Sequence, residues 1–134
     1  MAGQFLDSNV LVYAFTTDPR GGAARALLQR GCGISVQALN EFTNVARRKL
    51  RLPWQEVREA LSAIRALCPN VLPIDITTHG VALDLAEKHG FALFDALIVA
   101  AVVQAGGDTL WSEDMHHGTL VGEKLRILNP FRTA

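Results

Sequence analysis

Apolar residues along this chain fall into short blocks separated by stretches with a helical repeat. Gln4 to Asp7, Gly33 to Val36, Val71 to Ile74, Thr109 to Trp111 and Leu125 to Leu128 read as short buried strands, several of them bounded by turn residues. Between the second and third of these, Val36, Leu39, Phe42, Ala46 and Leu50 recur every three or four positions. That spacing predicts a helix with one face inward, capped by Ser35. Val57, Leu61, Ile64 and Leu67 continue the pattern after Pro53, which suits a first helical position, until Cys68-Pro69-Asn70 breaks the run. Shorter helices are predicted from Val10 to about Phe15, capped by Ser8 or Asn9, and from Ala23 to Gln29, stopped by Gly31. Another runs from Gly80 to His89, with Thr77 or Thr78 as its cap and Gly90 as its end. Phe94 to Gln104 is apolar nearly all round, which predicts a fully buried helix, and Ser112 to Gly122 has the polar and turn residues of a loop.

Strands of about four residues separated by helices require crossover connections. The expected architecture is therefore an α/β/α sandwich with a central, mostly parallel sheet of about five strands covered by helices on both faces. With 134 residues and no stretch that reads as a linker, one domain spanning 1–134 is expected. In such sheets ligands bind beyond the carboxyl ends of the strands.

Composition narrows the function classes. The chain is 49% hydrophobic and 19% charged, enough apolar material to bury a core and no signature of disorder. Its formal charge is zero, which argues against a domain that holds nucleic acid by bulk electrostatics, so any such contact must be local. Arg47, Arg48, Lys49 and Arg51 form the one dense basic run, readable as a solvated helix end or as a phosphate-contacting edge. Cys32 and Cys68 lack zinc-ligand spacing and read as buried free thiols. No signal peptide and no apolar stretch of membrane-spanning length is present, so the cytoplasm is the expected location.

Four acids attract attention by position. Asp7 stands at the end of the first strand and Asp114 just beyond the fourth, where both would project over the ligand-binding edge. Asp95 begins the most apolar helix, and Glu41 lies on the inward side of its own helix beside Phe42. Each has a structural alternative: Asp7 and Asp95 as helix caps, Asp114 as a turn residue, Glu41 as a half-exposed helix residue. Together they are harder to explain, because carboxylates about 4 Å apart repel by roughly 4 kcal/mol per pair at an effective dielectric near 20. Such a cluster must protonate or hold a cation, and oxygen donors suit Mg²⁺ or Mn²⁺. His116 and His117, beside Asp114 in a glycine-bounded loop, are read as solvent-facing and are not assigned to the site. Arg20, Arg25 and Arg47 are candidates for substrate-phosphate contacts, each with the alternative of a merely exposed arginine.

The blocks Phe5-Leu6-Asp7-Ser8-Asn9-Val10-Leu11, Asn40-Glu41-Phe42, Phe94-Asp95-Ala96-Leu97-Ile98-Val99-Ala100-Ala101 and Ser112-Glu113-Asp114-Met115, in that order, resemble the PIN-domain nucleases. Bacterial VapC-type toxins are the nearest likeness. The resemblance implies a three-layer α/β/α fold and a Mg²⁺- or Mn²⁺-dependent endoribonuclease site. It carries the family's acids onto Asp7, Glu41, Asp95 and the more variable Asp114, with Asn9 and Ser112 as supporting polar positions. It also implies a cognate VapB-type antitoxin as partner, an RNA substrate in which transfer or ribosomal RNA loops are candidates, and a homodimer. Trp54 is a candidate contact for that dimer, with a place in the core as the alternative. Phosphotransfer domains of receiver or haloacid-dehalogenase type also place an aspartate after strand one, but Ser8 and Asn9 stand where those chemistries want a second acid. A PIN-like module that binds without cutting, or a processing nuclease outside any toxin system, are the remaining readings.

Overall fold

The computed structural model describes residues 3–132. The strands are β1 (Gln4–Leu6), β2 (Ile34–Ser35), β3 (Val71–Leu72), β4 (Thr109–Trp111), β5 (Leu120–Val121) and β6 (Leu125–Leu128). The helices are α1 (Ser8–Ala14), α2 (Gly21–Gln29), α3 (Val36–Arg48), α4 (Trp54–Leu67), α5 (Ile76–His89) and α6 (Leu93–Gln104). Four strands form a sheet in the order β1-β4-β6-β5, parallel except for β5, and β2 and β3 form a parallel pair. One parallel bridge at Phe5 and Gly33 joins the two, through Gly33 N–H to the Gln4 carbonyl at 2.9 Å and Leu6 N–H to the Gly33 carbonyl at 3.0 Å. The fold is therefore the expected mixed α/β arrangement around a mostly parallel sheet.

Several expected boundaries shift for identifiable reasons. The stretch Ser112 to Gly122, expected as loop, contains β5, which pairs antiparallel with β6 across a turn where Gly122 has φ +64°. Helix α5 starts four residues early because Asp75, not a threonine, is its cap: the Asp75 carboxylate accepts from Thr78 N–H while the Thr78 hydroxyl serves the Asp75 amide. Pro53 is the cap residue of α4 and not its first helical residue. Ser35 caps α3 as expected, accepting from Ala38 N–H at 3.1 Å.

The core runs across both faces of these elements, with Leu6, Leu11, Ile34, Phe42, Ile64, Ile98, Leu110 and Ile127 fully buried. A second apolar seam, Ala82 with Ala96, Leu97 and Ala100, zips α5 to α6. Small residues there let the two helices approach closely. Helix α6 is buried from Ala96 to Val102, but its first turn is not: Phe94 is 63% exposed, so the expectation of complete burial holds for the body of the helix only. Trp54 is also outside the core, 54% exposed, with the Arg47 guanidinium 4.5 Å above its ring.

The Phe5 ring fixes the centre of the sheet by packing against backbone. A Cβ built at Gly33 would lie 2.5 Å from that ring, and one at Gly107 would lie 2.9 Å from it. Only glycine fits at either place. Gly33→Ala is therefore expected to destabilise the protein by about 1–3 kcal/mol in urea unfolding, through overpacking. Adding Phe5→Leu to Gly33→Ala should recover part of that loss, whereas Phe5→Leu alone should not stabilise.

Candidate active site

Parallel strands end on the same edge, and here that edge collects acids. Asp7 follows β1 and Ser112 follows β4, and the two are pinned by ladder bonds that outlast the strands. Asp7 N–H donates to the Trp111 carbonyl and Ser112 N–H to the Leu128 carbonyl, both at 2.9 Å. Glu41 comes from α3, which leaves β2 at the same edge, and Asp95 from the first turn of α6. The exposed Asp114 sits on the turn after Ser112, held by Met115 N–H donating to the Ser112 hydroxyl at 3.3 Å.

Asp7 is only 1% exposed, and it is both a helix cap and a member of this cluster. Its Oδ1 accepts from Ser8 N–H at 2.6 Å, and its Oδ2 accepts from the Ser112 hydroxyl at 2.6 Å and the Asn9 amide at 3.3 Å. The Ser8 hydroxyl has one proton and two acceptors in reach, Glu41 Oε1 at 3.0 Å and Asp7 Oδ1 at 3.3 Å. Given to the nearer Glu41, that proton leaves Asp7 three donors for about four lone-pair positions, and so one position open.

Burial pushes the Asp7 carboxyl up from 3.8 to about 6, against the pull of the Ser112 hydroxyl and the Ser8 amide, while Asp95 and Glu41 add repulsion. Asp95 is raised for the same reasons, first by burial, then by Glu41 and Asp114. Asp7 thus feels Asp95 and Glu41, and Asp95 feels Glu41 and Asp114. As their side chains stand, however, no three His, Cys, Asp or Glu residues among the described residues are gathered tightly enough to share one metal ion. The donors are nonetheless of the right kind for a hard divalent cation, carboxylate oxygens with no thiol or imidazole among them. Glu41 is held by the Ser8 hydroxyl at 3.0 Å and by the Gln37 amide at 3.2 Å, while Asp114 is exposed.

Beside the acids lies a cleft of about 430 Å³, whose lining includes Ser8, Asn9, Glu41, Lys49 and Asp114 but neither Asp7 nor Asp95. Its far wall is a network that sequence reasoning missed. Glu113 accepts from the Tyr13 hydroxyl at 2.6 Å and from Arg20 Nη1 at 2.9 Å, and its amide donates to Asn9 Oδ1 at 3.2 Å. Asn9 therefore ties Asp7 to the loop that carries Asp114. Burial and the Glu113 carboxylate push the Tyr13 phenol up to about 12, so it stays a donor. The only signal for Glu113 in the sequence was its place beside Asp114; nothing marked Tyr13.

The arginines considered for phosphate contact are occupied. Arg20 pairs with Asp18 and Glu113, Arg25 Nη1 donates to the Ala14 and Thr16 carbonyls, and Arg47 Nη1 donates to the Leu52 carbonyl. His117 accepts from Asn129 N–H through Nδ1 at 2.9 Å, a role in fastening the chain after β6. Cys32 and Cys68 are free thiols, both buried, and burial pushes Cys68 up to about 11.

Residues 5–118 match the sequence model of the PIN domain. The chain belongs to the PIN-domain family. Among proteins of curated function, no sequence matches it. Solved structures do resemble this PIN domain. A toxin-antitoxin complex from Klebsiella pneumoniae superposes with TM-score 0.73 at 16% identity, over 97% of this chain and 99% of that one. FitAcB from Neisseria gonorrhoeae gives TM-score 0.70 at 19% identity, over 97% of this chain and 99% of that one. VapC20 of Mycobacterium tuberculosis, described as a sarcin-ricin loop cleaving toxin, gives 0.66 at 17% identity over 83% and 89% of the two chains. At such identities these likenesses speak for the fold. Among the described residues, no helix is long and apolar enough to cross a membrane.

The raised Asp7 carboxyl has a consequence for stability. A carboxyl whose folded pKa lies above its unfolded value stabilises the protein fully below the unfolded value, and that contribution disappears as pH rises through the folded one. Without metal, Asp7 should therefore make the protein lose stability between pH about 4 and about 6, by about 3 kcal/mol from a two-unit shift. Urea titrations in EDTA across that range should show the decline, and Asp7→Asn should flatten most of it.

Proposed function

We propose that this PIN domain, read as one unit over 1–134, is an endoribonuclease that depends on Mg²⁺ or Mn²⁺ and serves as the toxin of a toxin-antitoxin pair. The observation that carries the reading is the buried Asp7 carboxylate, raised by burial and repelled by Asp95 and Glu41, where β1 and β4 end. Buried anions ringed by anions favour either a proton or a cation, and a cleft open to solvent beside them leaves room for a phosphodiester. Family membership supports the reaction class. The neighbours described as a sarcin-ricin loop cleaving toxin and as a toxin-antitoxin complex support RNA as substrate and a VapB-type antitoxin protein as partner. The reading includes a cytoplasmic location and a homodimer, for which exposed Trp54 remains a candidate contact.

Each residue has a role that its surroundings suit. Asp7 and Asp95, the two whose carboxyls burial raises, would hold the cation, with the exposed Asp114 on the rim as a further ligand. Bound there, the cation supplies Lewis acidity, which makes a water more acidic and offsets charge on the phosphoryl oxygens. Glu41 accepts the proton of the attacking water, whose oxygen bonds to phosphorus as the opposite P–O bond breaks in line and the departing oxygen takes a proton from solvent. Ser112 and Asn9 keep Asp7 ionised and aimed, because their hydrogen bonds favour its charged form.

The test is cleavage of total cellular RNA by the purified protein free of any antitoxin, with Mg²⁺ or Mn²⁺ and with EDTA. Cutting should require the metal and vanish in Asp7→Asn and Asp95→Asn variants shown to be folded by circular dichroism. Ser112→Ala should retain cutting at a rate about 10- to 100-fold lower. A folded wild-type protein that cuts no RNA with either metal would move the reading to a PIN-like module that binds without cutting.

A further inference from the structure

Lys49 is the cation that the cleft holds in reserve. It is the residue that ends α3, it is exposed, and it lines the same cleft as Glu41 and Val45. Positions 41, 45 and 49 are spaced by four, so they stack along one face of the helix. At 1.5 Å per residue, Lys49 stands about 12 Å along the axis from Glu41. One helix face thus carries an acid at one end of the cleft and a cation at the other.

The surrounding charges leave Lys49 free for a ligand. Both ion pairs found among the described residues belong to Arg20, and no side-chain hydrogen bond of Lys49 is present among them. Arg25 and Arg47 are spent on backbone carbonyls. The position of Lys49 is nevertheless well held. Leu50 N–H donates to the Val45 carbonyl at 3.2 Å and Leu52 N–H to the Ala46 carbonyl at 3.0 Å, while Arg51 takes the left-handed conformation at φ 55° to complete the turn. A non-glycine residue held at positive φ marks a backbone whose path is over-determined by its contacts.

We propose that Lys49 binds a phosphate of the RNA strand next to the one attacked at the acids, and so sets how the strand lies in the cleft. Its ammonium suits a phosphate as a compact point charge on a flexible stem. An acidic peptide suits the cleft less well, because Asp18, Glu41 and Asp114 share its walls. A nucleic-acid strand carries the same repulsion, but a phosphate at the acids is the group that the cation there would receive. This inference rests on the ribonuclease reading for the choice of ligand, and its test separates the two.

The test measures binding of a fluorescein-labelled, single-stranded RNA of mixed sequence by anisotropy in EDTA, as a function of salt. Wild type, Lys49→Met, Lys49→Arg and, as a control for charge alone, Arg48→Met are compared. Each phosphate contact on a single strand contributes about 0.7 to the slope of log affinity against log salt. Lys49→Met should lower the slope by about 0.7 and weaken binding several-fold near 0.1 M salt, Lys49→Arg should restore both, and Arg48→Met should change the slope less. Equal slopes for Lys49→Met and Arg48→Met, or a wild type that neither binds the RNA in EDTA nor binds or cuts it with Mg²⁺, would overturn the proposal. Cleavage of the same RNA with Mg²⁺ is scored separately: wild-type binding that depends on Lys49 without cleavage would sink the nuclease reading and leave the Lys49 contact standing.

Discussion

The ladder between β1 and β4 decides where a carboxylate can be buried. Because the Asp7 amide is committed to the Trp111 carbonyl, the Asp7 side chain has no freedom to move its charge into water by unwinding the strand end. It must be satisfied in place, and the register of the same two strands brings the Ser112 hydroxyl to within 2.6 Å of it. Backbone pairing that would otherwise be a routine feature of a parallel sheet thus fixes the one charged residue buried among the described residues. Asn9 extends the arrangement outward, giving its amide N–H to Asp7 and accepting from the Glu113 amide, so that the loop after β4 is located by the same carboxylate.

That arrangement stores a conflict that the fold does not resolve by itself. Burial, the largest effect, favours a neutral Asp7, the hydrogen bonds favour a charged one, and Asp95 and Glu41 add smaller contributions on the side of neutrality. Capping alone needs only the one carboxylate facing the helix amides and gives no reason for Asp95 and Glu41 to stand near it. The cost is local and is carried by ordinary packing elsewhere: the Phe5 ring against Gly33 and Gly107, the fully buried Phe42 and Ile98, and the alanine seam between α5 and α6.

Much of the fold was legible because strand and helix periods were clean. The apolar spacing through Val36, Phe42 and Ala46 located α3, and Ser35 announced its start. Reading failed where an element broke its own pattern. Ile76, 82% exposed at the start of α5, interrupts the apolar face and hid the true cap at Asp75. Strand β5 has a single buried side chain, Val121, too little to distinguish a hairpin arm from a loop. Of the site, position at the strand ends drew attention to Asp7 and Asp114, but each of the four acids taken singly also read as a cap, a turn or a half-exposed helix residue; the family resemblance set them apart as a group. Arg20 was singled out only as a phosphate contact and Tyr13 not at all, and their joining through Glu113 could not be read, because residues about a hundred positions apart meet only through the order of strands in the sheet.

The central claim, that these carboxylates form a divalent cation site, is tested most directly by calorimetric titration of the metal-free protein with Mn²⁺ near pH 6. The account predicts saturable binding that releases protons, since Asp7 is partly protonated there, and that is lost or greatly weakened in a folded Asp95→Asn variant. Absence of binding by the folded wild-type protein, or binding unchanged in that variant, would contradict it.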